Sequence, residues 1–327
     1  MPEEGEDIML QAIALARLGT RGSILARWQT SYVCQLLQTV HRSLAVEIEI
    51  IQTSGDQMLD MPLPQIGGKG VFTAELEAAL YGKSIDIAVH SLKDLPTELP
   101  PGLSIGAIPL RATPADVLVS RQGYTLDTLP EGAIVGTSSQ RRKAQILYRR
   151  PDLRIIDARG NVNTRIRKAL DANGAYDAVV LAQAGLERLE YSPEISQVIP
   201  CEQILPAPGQ GALGIQCREE HAWLDLLADL NHRETLLAVT AERAFLKGLG
   251  GGCSMPVAAY AHIEGEQLHL DGRVCALDGS AQMLLSMAVA ITSDLATVRA
   301  CAIAEQAGLD LARSALEQGA MAMLEAR

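Results

Sequence analysis

The sequence has few aromatic residues and no excess of positive charge. Phe, Trp and Tyr make up only 3% of its 327 residues, so the core must be built from aliphatic side chains and alanine. The net charge of −11 at pH 7 argues against a general binder of nucleic acid. No uncharged apolar run is long enough to cross a bilayer. These absences predict a globular protein without a nucleic-acid or membrane partner, and the length of 327 residues predicts two or three domains.

Paired cysteines and a secretory signal are also missing. The six cysteines form no CxxC pair, which disfavours a zinc ribbon or a redox motif. Neither His90 nor His221 has a partner at metal-ligand spacing, so we expect no metal in the chemistry. Residues 1–10 are acidic, whereas a secretory signal needs a basic start and an apolar stretch. We therefore expect a cytoplasmic protein in which residues 1–10 form a flexible extension.

Positive charge is concentrated in one segment of this acidic chain. Residues 141–168 contain ten Lys or Arg and two Asp or Glu, a local net charge of +8, so the remainder carries −19. A confined basic patch of this kind indicates a pocket for small anions. Its only aromatic residue is Tyr148, which is too little for the stacking platforms that bind single-stranded nucleic acid.

Hydrophobic patterning predicts alternating strands and helices up to about residue 230. Strands are predicted at 11–18, 43–51, 85–91, 133–137, 153–157 and 177–182, with a helix over 162–174 that ends at a glycine. A helix over 24–40 is predicted to place on one face Leu25, Trp28, Val33, Leu36 and Val40. This alternation indicates two α/β domains with mostly parallel sheets. Beyond residue 230, a helix and strands joined by EG and DGS turns indicate a smaller α+β domain with an antiparallel sheet.

Charged and hydroxyl side chains recur where the predicted strands end. Ligands of open α/β sheets bind beyond the carboxyl ends of the strands. The residues at these ends are Arg21, Ser23, Lys93, Asp94, Thr137, Ser138, Arg141, Arg142, Arg159, Arg165 and Arg188. Arginine suits bidentate binding of carboxylates or phosphates, and arginines in the first turn of a helix favour a bound anion there. The alternative for any one of them is a pair with a surface carboxylate.

Asp94 and Cys253 are the candidates for chemistry. An aspartate among cations stays ionised, so Asp94 can stabilise a developing cation or move protons on a substrate nitrogen; the alternative is a turn-forming loop residue. Cys253 lies in the glycine-rich segment GLGGGCSMP. A cysteine in such a loop is either a reactive thiol or an incidental residue without a role. The GxGxxG match at residues 209–214 leads into a strand instead of a helix, which makes it a poor dinucleotide fingerprint.

Eight motifs in this order resemble those of the porphobilinogen deaminase family. They are RGSILARWQ, GGKGVF, DIAVHSLKDLP, VGTSSQRR, RGNVNTR, LPAPGQGALGIQCR, TAERAFL and GGCSMPV. The resemblance runs from about residue 17 to the end of the chain. It implies a transferase, also called hydroxymethylbilane synthase, that joins four porphobilinogen molecules head to tail. Each step releases ammonia, and the product is hydroxymethylbilane, a linear precursor in tetrapyrrole biosynthesis.

The resemblance also implies a cofactor and a set of site residues. A dipyrromethane is attached through a thioether to the cysteine that Cys253 matches, and Asp94 matches the catalytic aspartate, with Lys93 beside it. Residues matching the cofactor site are Lys93, Asp94, Thr137, Ser138, Ser139, Arg141, Arg142 and Gly160. Residues matching the sites for substrate and the growing polypyrrole chain are Arg21, Ser23, Lys69, Phe72, Arg159, Arg165 and Arg188.

The family's architecture sets further expectations for the fold. Two α/β domains like type 2 periplasmic binding proteins, with mixed and mostly parallel sheets, precede a smaller α+β domain with a three-stranded antiparallel sheet. Here they would comprise residues 11–109 with 210–229, residues 110–209, and residues 230–327. A monomer is expected. The competing interpretation is a non-enzymatic clamp that binds small anions, which gives no role to Cys253 or to the third domain.

Overall fold

The computed structural model describes residues 13–53, 73–252 and 255–325. Its strands are β1 (Leu15–Arg21), β2 (Ala45–Ile51), β3 (Ile87–Ser91), β4 (Leu103–Ala107), β5 (Asp116–Ser120), β6 (Ile134–Gly136), β7 (Arg154–Ile156), β8 (Ala178–Ala182), β9 (Gln197–Ile199), β10 (Leu213–Arg218), β11 (Val257–Glu264), β12 (Gln267–Cys275) and β13 (Gln282–Ala290). Its helices are α1 (Ile24–Val40), α2 (Ala74–Tyr81), α3 (Gln140–Arg149), α4 (Val162–Leu170), α5 (Gln183–Arg188), α6 (His221–Ala228), α7 (Arg233–Gly248), α8 (Thr297–Glu317) and α9 (Ala320–Glu325).

The first two sheets are built on the same plan. Their strand orders are β2-β1-β3-β10-β4 and β7-β6-β8-β5-β9. In the first sheet β10 runs against its four companions, and in the second sheet β5 does so. The chain crosses between the sheets through residues 108–115 and again through residues 200–212. Because each reversed strand begins where the others end, both crossings lie at the carboxyl edges of the two sheets.

The third sheet, β11-β12-β13, is an antiparallel meander packed against α7 and α8. Phe245 on α7 is fully buried in this core. Gly272 on β12 lies against its ring, and a Cβ atom added there would come within 2.7 Å of the phenyl carbon. The three sheets confirm the predicted fold class. No helix within the described ranges is both long and apolar enough to span a membrane.

Glu242 on α7 attaches the third sheet to the first crossing. Its carboxylate is fully buried and accepts two hydrogen bonds from the Arg111 guanidinium, at 2.7 and 3.2 Å. The same carboxylate accepts the Gly209 N–H at 2.7 Å and the Ala261 N–H at 2.8 Å. One acid therefore holds both crossings and β11 together. Cys253 belongs to the stretch of chain between α7 and β11 and lies outside the described residues.

The buried face of α1 differs from the predicted one. Trp28 is 40% exposed and Val40 44% exposed, and the helix instead buries Ala26, Gln29, Thr30, Val33 and Leu37. The buried face of α1 includes two polar residues, Gln29 and Thr30, which a search for apolar periodicity does not detect. Thr30 satisfies its own hydroxyl by donating to the Ala26 carbonyl at 3.1 Å. Trp28 stacks on Tyr32 at the helix surface, with ring centroids 5.5 Å apart.

Several element boundaries also differ from the prediction. β1 begins at Leu15, not at residue 11, and it includes Arg21. α4 ends at Leu170, four residues before the glycine that was predicted to end it, and Asp171 turns the chain by accepting the Gly174 N–H at 3.0 Å. Three strands, β4, β5 and β9, follow segments rich in proline or loop residues and were not predicted at all. The predicted extension at residues 1–10 lies outside the described ranges.

Candidate active site

The carboxyl edges of the first two sheets come together at the crossings. The Ala112 N–H of one crossing donates to the Gly211 carbonyl of the other at 3.2 Å. The predicted site residues that the structure describes lie on the strand ends at these edges, on the turns that follow them, or on the helices beyond those turns. Electrostatic effects join four of them across the two sheets: after the larger effect of burial, Arg142 lowers the pKa of Lys93, and Asp94 partly offsets the lowered pKa of Arg165. The structure thus brings Lys93, Asp94, Arg142 and Arg165 together in one region.

A buried aspartate, Asp116, organises the arginines at the start of α3. Its Oδ2 accepts from Arg141 Nη1 at 2.8 Å, and its Oδ1 accepts from Arg142 Nη2 at 2.7 Å and Nε at 3.1 Å. Burial alone would raise the pKa of this carboxyl. The charges and hydrogen bonds of the two arginines more than reverse that effect and lower the pKa of Asp116 well below its usual range.

Arg141 and Arg142 are consequently held by the protein itself. Both are almost fully buried, and they also donate to the carbonyls of Leu205 at 2.7 Å and Val180 at 3.1 Å. Two like charges near a helix N-terminus were expected to favour an external anion, but much of that role belongs to Asp116. Arg141 Nε remains buried with no hydrogen-bond partner among the described residues. This donor is where the cluster has capacity left for a further acceptor.

The hydroxyl residues before α3 are bonded to the backbone. Ser139 is the N-cap, and its Oγ accepts the Arg142 N–H at 3.4 Å. Thr137 Oγ1 accepts the Ser139 N–H at 3.2 Å, and Ser138 Oγ donates to the Ala158 carbonyl at 2.8 Å. These bonds fix the turn between β6 and α3. Ser139 and Ser138 are only partly buried, so they remain accessible to a ligand.

Lys93 and Asp94 form the last two residues of a 3-10 turn, Leu92–Asp94, that directly follows β3. Lys93 is partly buried and its ammonium donates to Gln210 Oε1 at 3.3 Å. Burial, with the charge of Arg142, lowers the pKa of Lys93 to about 8, although Asp94 and Asp116 act in the opposite direction. Asp94 is exposed. The site therefore presents the carboxyl group of Asp94 to solvent beside a lysine whose pKa is lowered to about 8.

Arg165 on α4 is a cation of a different kind. Its Nε donates to the Gly160 carbonyl at 2.7 Å, and it forms no salt bridge with any carboxylate among the described residues. Burial and then the charge of Arg142 lower its pKa. Gly160 has φ +98, and a Cβ atom there would come within 2.9 Å of Thr164. A glycine is thus required for the turn that aims this carbonyl at Arg165.

Arg188, the last residue of α5, also lacks an anionic partner within the described part of the chain. Its Nη2 donates to the Gly211 carbonyl at 2.7 Å, and its guanidinium lies 5.8 Å from the centre of the Trp28 ring. Burial lowers its pKa to about 10. α5 belongs to the second sheet and α1 to the first, so this contact spans the two.

The remaining described site residues are Arg159, Arg21 and Ser23. Arg159 pairs with Asp157, two residues before it, at 3.1 Å, and that aspartate is largely exposed. Arg21 ends β1, and its charge, after the larger effect of burial, helps to lower the pKa of His90 to about 4. Ser23 caps α1, with its Oγ accepting the Ala26 N–H at 3.2 Å.

Three predicted site residues, Lys69, Phe72 and Cys253, lie outside the described residues. The roles assigned to them in the sequence analysis stay predictions. Within the described ranges no cluster of three or more His, Cys, Asp or Glu side chains is arranged to hold a metal ion.

Sequence reasoning missed two residues of this region, Asp116 and Gln210. Asp116 opens an apolar strand, DVLVS, and an acid at the start of a fully buried strand is a signal that could have been read. Gln210 lies between two glycines with φ +76 and φ +86 in the second crossing. The segment around it was considered as a possible dinucleotide motif and as part of the family motif LPAPGQGALGIQCR, neither of which points to Gln210 itself, and hydrophobic patterning does not reveal a buried amide.

Solved structures of low sequence identity match about two thirds of the chain. A mutant of full-length BenM matches with a TM-score of 0.39 and 13% identity, covering 68% of this chain and 67% of that one. The reduced OxyR regulatory domain from Pseudomonas aeruginosa matches with a TM-score of 0.38 and 15% identity, covering 67% and 98%. A nutrient binding protein from Burkholderia cenocepacia bound to methionine gives 0.39 and 16%, covering 65% and 89%.

Similar sequences cover nearly the whole chain and share one name. The porphobilinogen deaminase of Syntrophomonas wolfei is 48% identical over 309 residues, which are 94% of this chain and 97% of that protein. The porphobilinogen deaminase of Syntrophotalea carbinolica is 46% identical over 311 residues, 95% of each chain. That of Moorella thermoacetica is 48% identical over 310 residues, 94% of this chain and 95% of the relative.

Two family models match consecutive parts of the sequence. The model described as "Porphobilinogen deaminase, dipyromethane cofactor binding domain" matches residues 16–225, which include the crossings and every described site residue. The model described as "Porphobilinogen deaminase, C-terminal domain" matches residues 236–317. Together with the relatives, these matches show that the chain belongs to the porphobilinogen deaminase family.

Proposed function

We propose that this chain works as a hydroxymethylbilane synthase in which Asp94 carries the chemistry and Arg165 and Arg188 bind substrate carboxylates. The observation that carries the proposal is the state of these two arginines. Each is partly buried, and each has a carbonyl but no carboxylate as its described partner. A buried guanidinium without a counter-ion costs free energy unless an anion binds there. Porphobilinogen, with an acetate and a propionate on each pyrrole, supplies such anions.

Asp94 is suited to the step that releases ammonia. The C–N bond of the aminomethyl group breaks, the nitrogen leaves as ammonia, and the carbon that remains is cationic. An ionised carboxylate beside the pyrrole stabilises that positive charge. A new C–C bond then forms to a free pyrrole α-carbon, whose proton is lost to solvent or to a nearby base. The exposure of Asp94 leaves room for a pyrrole ring at its oxygens.

A dipyrromethane on Cys253, when bound, supplies the free pyrrole α-position to which the first substrate unit is added. Its four carboxylates need several donors, and the region offers them. The buried and unpartnered Nε of Arg141 is one such donor, and the partly buried hydroxyl of Ser139 is another. Ser138 already donates its hydroxyl proton to the Ala158 carbonyl and can only accept a further hydrogen bond, such as one from a pyrrole N–H. These residues fit the cofactor by charge and by hydrogen-bond type. The thioether at Cys253 and the gating by the loop of Lys69 and Phe72 are part of this proposal.

The proposal includes further features of the protein as a whole. The domain boundaries are residues 11–109 with 210–229, then 110–209, then 230–327. Arg21, Ser23, Thr137, Arg142, Arg159 and Gly160 complete the sites for cofactor and substrate. The protein is a cytoplasmic monomer whose partners are porphobilinogen and the growing polypyrrole chain.

Intact-mass spectrometry and turnover test the proposal together. Purified protein should carry a covalent addition equal to two pyrrole units, and Cys253→Ser should lack it, whereas Cys301→Ser should keep it. Asp94→Asn should retain the addition and the fold but lose nearly all ammonia release. Normal turnover by Asp94→Asn would contradict the role of Asp94. Binding of porphobilinogen without turnover by the wild type would instead support an anion-binding clamp.

A further inference from the structure

Gln210 occupies the point at which the two crossings and the two sheets meet. It is fully buried. Its Nε2 donates to the Pro114 carbonyl at 2.6 Å and to Asp116 Oδ1 at 2.8 Å, and its Oε1 accepts from Lys93 Nζ at 3.3 Å. One side chain therefore joins the turn after β3, in the first sheet, to the first residue of β5, in the second.

The orientation of this amide follows from its partners. The Pro114 carbonyl and the ionised Asp116 carboxylate can only accept hydrogen bonds, and the Lys93 ammonium can only donate. Turning the amide over would set its oxygen against two acceptors and its NH2 group against a donor. The oxygen of Gln210 must therefore face Lys93.

The backbone of Gln210 is equally constrained. Its carbonyl accepts from Arg111 Nε at 2.8 Å. Gly209 and Gly211 on either side have positive φ, and a Cβ atom at the first would contact Leu92 while one at the second would clash with the Ala112 carbonyl. The amide thus extends from a rigid point, as a group that orients another side chain must do.

We propose that Gln210 is a positioning residue, which holds the Lys93 ammonium at a fixed place in the site and joins it to the ion cluster of Asp116, Arg141 and Arg142. Lysine carries its charge on a flexible four-carbon stem, so a fixed acceptor is needed to keep that charge in one place. The inference rests on the proposed function only for the part that Lys93 plays beside Asp94. The hydrogen-bond geometry stands without it.

The charge state of Lys93 reports on this contact. The charged groups that act on it include Asp94, Asp116, Arg141 and Arg142, and burial, followed by the charge of Arg142, lowers its pKa to about 8. An acceptor directed at the ammonium favours the charged form. Removing the acceptor should lower the pKa of Lys93, and a side chain that keeps the acceptor without adding charge should leave that pKa near its wild-type value.

The test measures the reactivity of Lys93 towards acetic anhydride as a function of pH, by peptide mass spectrometry of the holoenzyme. Gln210→Met keeps the length of the side chain but removes all three hydrogen bonds, and we expect the midpoint of labelling to fall by about one pH unit. Gln210→Glu keeps the acceptor, but its second oxygen faces the Pro114 carbonyl and Asp116 and must be protonated to donate to them, so we expect a midpoint within about 0.3 pH units of the wild type. The basic limb of the kcat profile should respond in the same way.

Gln145→Met provides a matched control, because Gln145 is another buried glutamine of the region. Its amide bonds the Leu205 carbonyl and N–H and the Arg273 guanidinium, and no described contact joins it to Lys93. We expect it to lower stability as Gln210→Met does but to leave the Lys93 midpoint unchanged. Lys83, whose side chain is 69% exposed, serves as the internal standard for labelling.

A fall of the midpoint in Gln210→Met that is absent from Gln210→Glu and from the control would support the proposal. A midpoint in Gln210→Met within about 0.2 pH units of the wild type, or a shift equal to that of the control, would overturn it. Labelling does not depend on turnover. A wild type that labels as expected but does not consume porphobilinogen would therefore overturn the proposed function alone.

Discussion

Four arginines of the site form two pairs that the sequence does not distinguish. Arg141 and Arg142 share a buried aspartate, Asp116, and their charge is largely neutralised within the protein. Arg165 and Arg188 are partly buried, and each has only a carbonyl as its described hydrogen-bond partner. All four lie at the carboxyl edge of the second sheet or on the helices that follow it.

The difference indicates a division of labour between scaffold and ligand binding. A cation with an internal counter-ion is fixed in place and contributes a hydrogen-bonding surface of defined shape. A cation without an internal counter-ion attracts an incoming carboxylate more strongly, but its unpaired charge lowers the stability of the ligand-free protein. A site that handles a chain of growing negative charge needs both kinds.

Removal of the internal counter-ion should have the largest effect. Asp116→Asn leaves two buried guanidiniums without an anionic partner, and we expect the free energy of unfolding to fall by about 3–5 kcal/mol. Urea unfolding followed by circular dichroism measures the change. Asp157→Asn, which removes the exposed partner of Arg159, is the control and should cost about 0–1 kcal/mol. Equal losses in the two variants would show that Asp116 is not the anchor of the pair.

Removal of an arginine that has no carboxylate partner should weaken substrate binding without lowering the free energy of unfolding. We expect Arg165→Met or Arg188→Met to raise KM for porphobilinogen by about 10–100-fold, since each loses one charge-assisted contact with a carboxylate. The free energy of unfolding should stay the same or rise, because an uncompensated buried charge is removed. Arg142→Met should instead lower stability. If Arg165→Met and Arg142→Met behaved alike in both measurements, the distinction between the pairs would fail.

Lys93 should make ligand affinity depend on pH where the arginines do not. Its pKa is lowered to about 8, so the charge that attracts a carboxylate is present below that pH and is lost as the pH rises through it. We expect affinity for a pyrrole dicarboxylate to fall about tenfold from about pH 7 to about pH 9. Titration calorimetry of the wild type and of Lys93→Met measures this. A slope that persisted in Lys93→Met would assign the titration to another group.

Much of the fold could be predicted because the strands that carry it are strongly apolar. β3 and β8 are continuous buried runs, and the hairpin turns of the third sheet have clear signals. β4, β5 and β9 were missed because they are flanked by proline or by loops, and their pairing with β10, β8 and β5, respectively, is decided by tertiary structure. The face of α1 was wrong because its buried stripe includes Gln29 and Thr30.

The site could be predicted as a set of residue types at strand ends but not as a set of charges. Position after a strand brought Lys93, Asp94 and Arg165 into one hypothesis. Which arginines are neutralised depends on Asp116, which is 25 residues from Arg141 in sequence and belongs to a strand that runs against its neighbours. Contacts of this kind arise from chain topology, and a linear pattern does not contain them.

The smallest expected effect concerns the aromatic neighbour of an unpaired arginine. The Arg188 guanidinium lies over Trp28, which is 40% exposed. We expect Trp28→Leu to raise KM for porphobilinogen by about 2–5-fold, because it loses a cation–π contact, and Trp28→Phe to raise KM less. The chain offers a matched control. Arg218 lies over Trp223 at the same 5.8 Å, but it is also paired with Asp86 and Glu220. Trp223→Leu should therefore leave KM unchanged while lowering stability, because Trp223 is buried. Equal changes in KM would mean that the ring of Trp28 does no more than fill space, and that the direction of Arg188 is set by the Gly211 carbonyl alone.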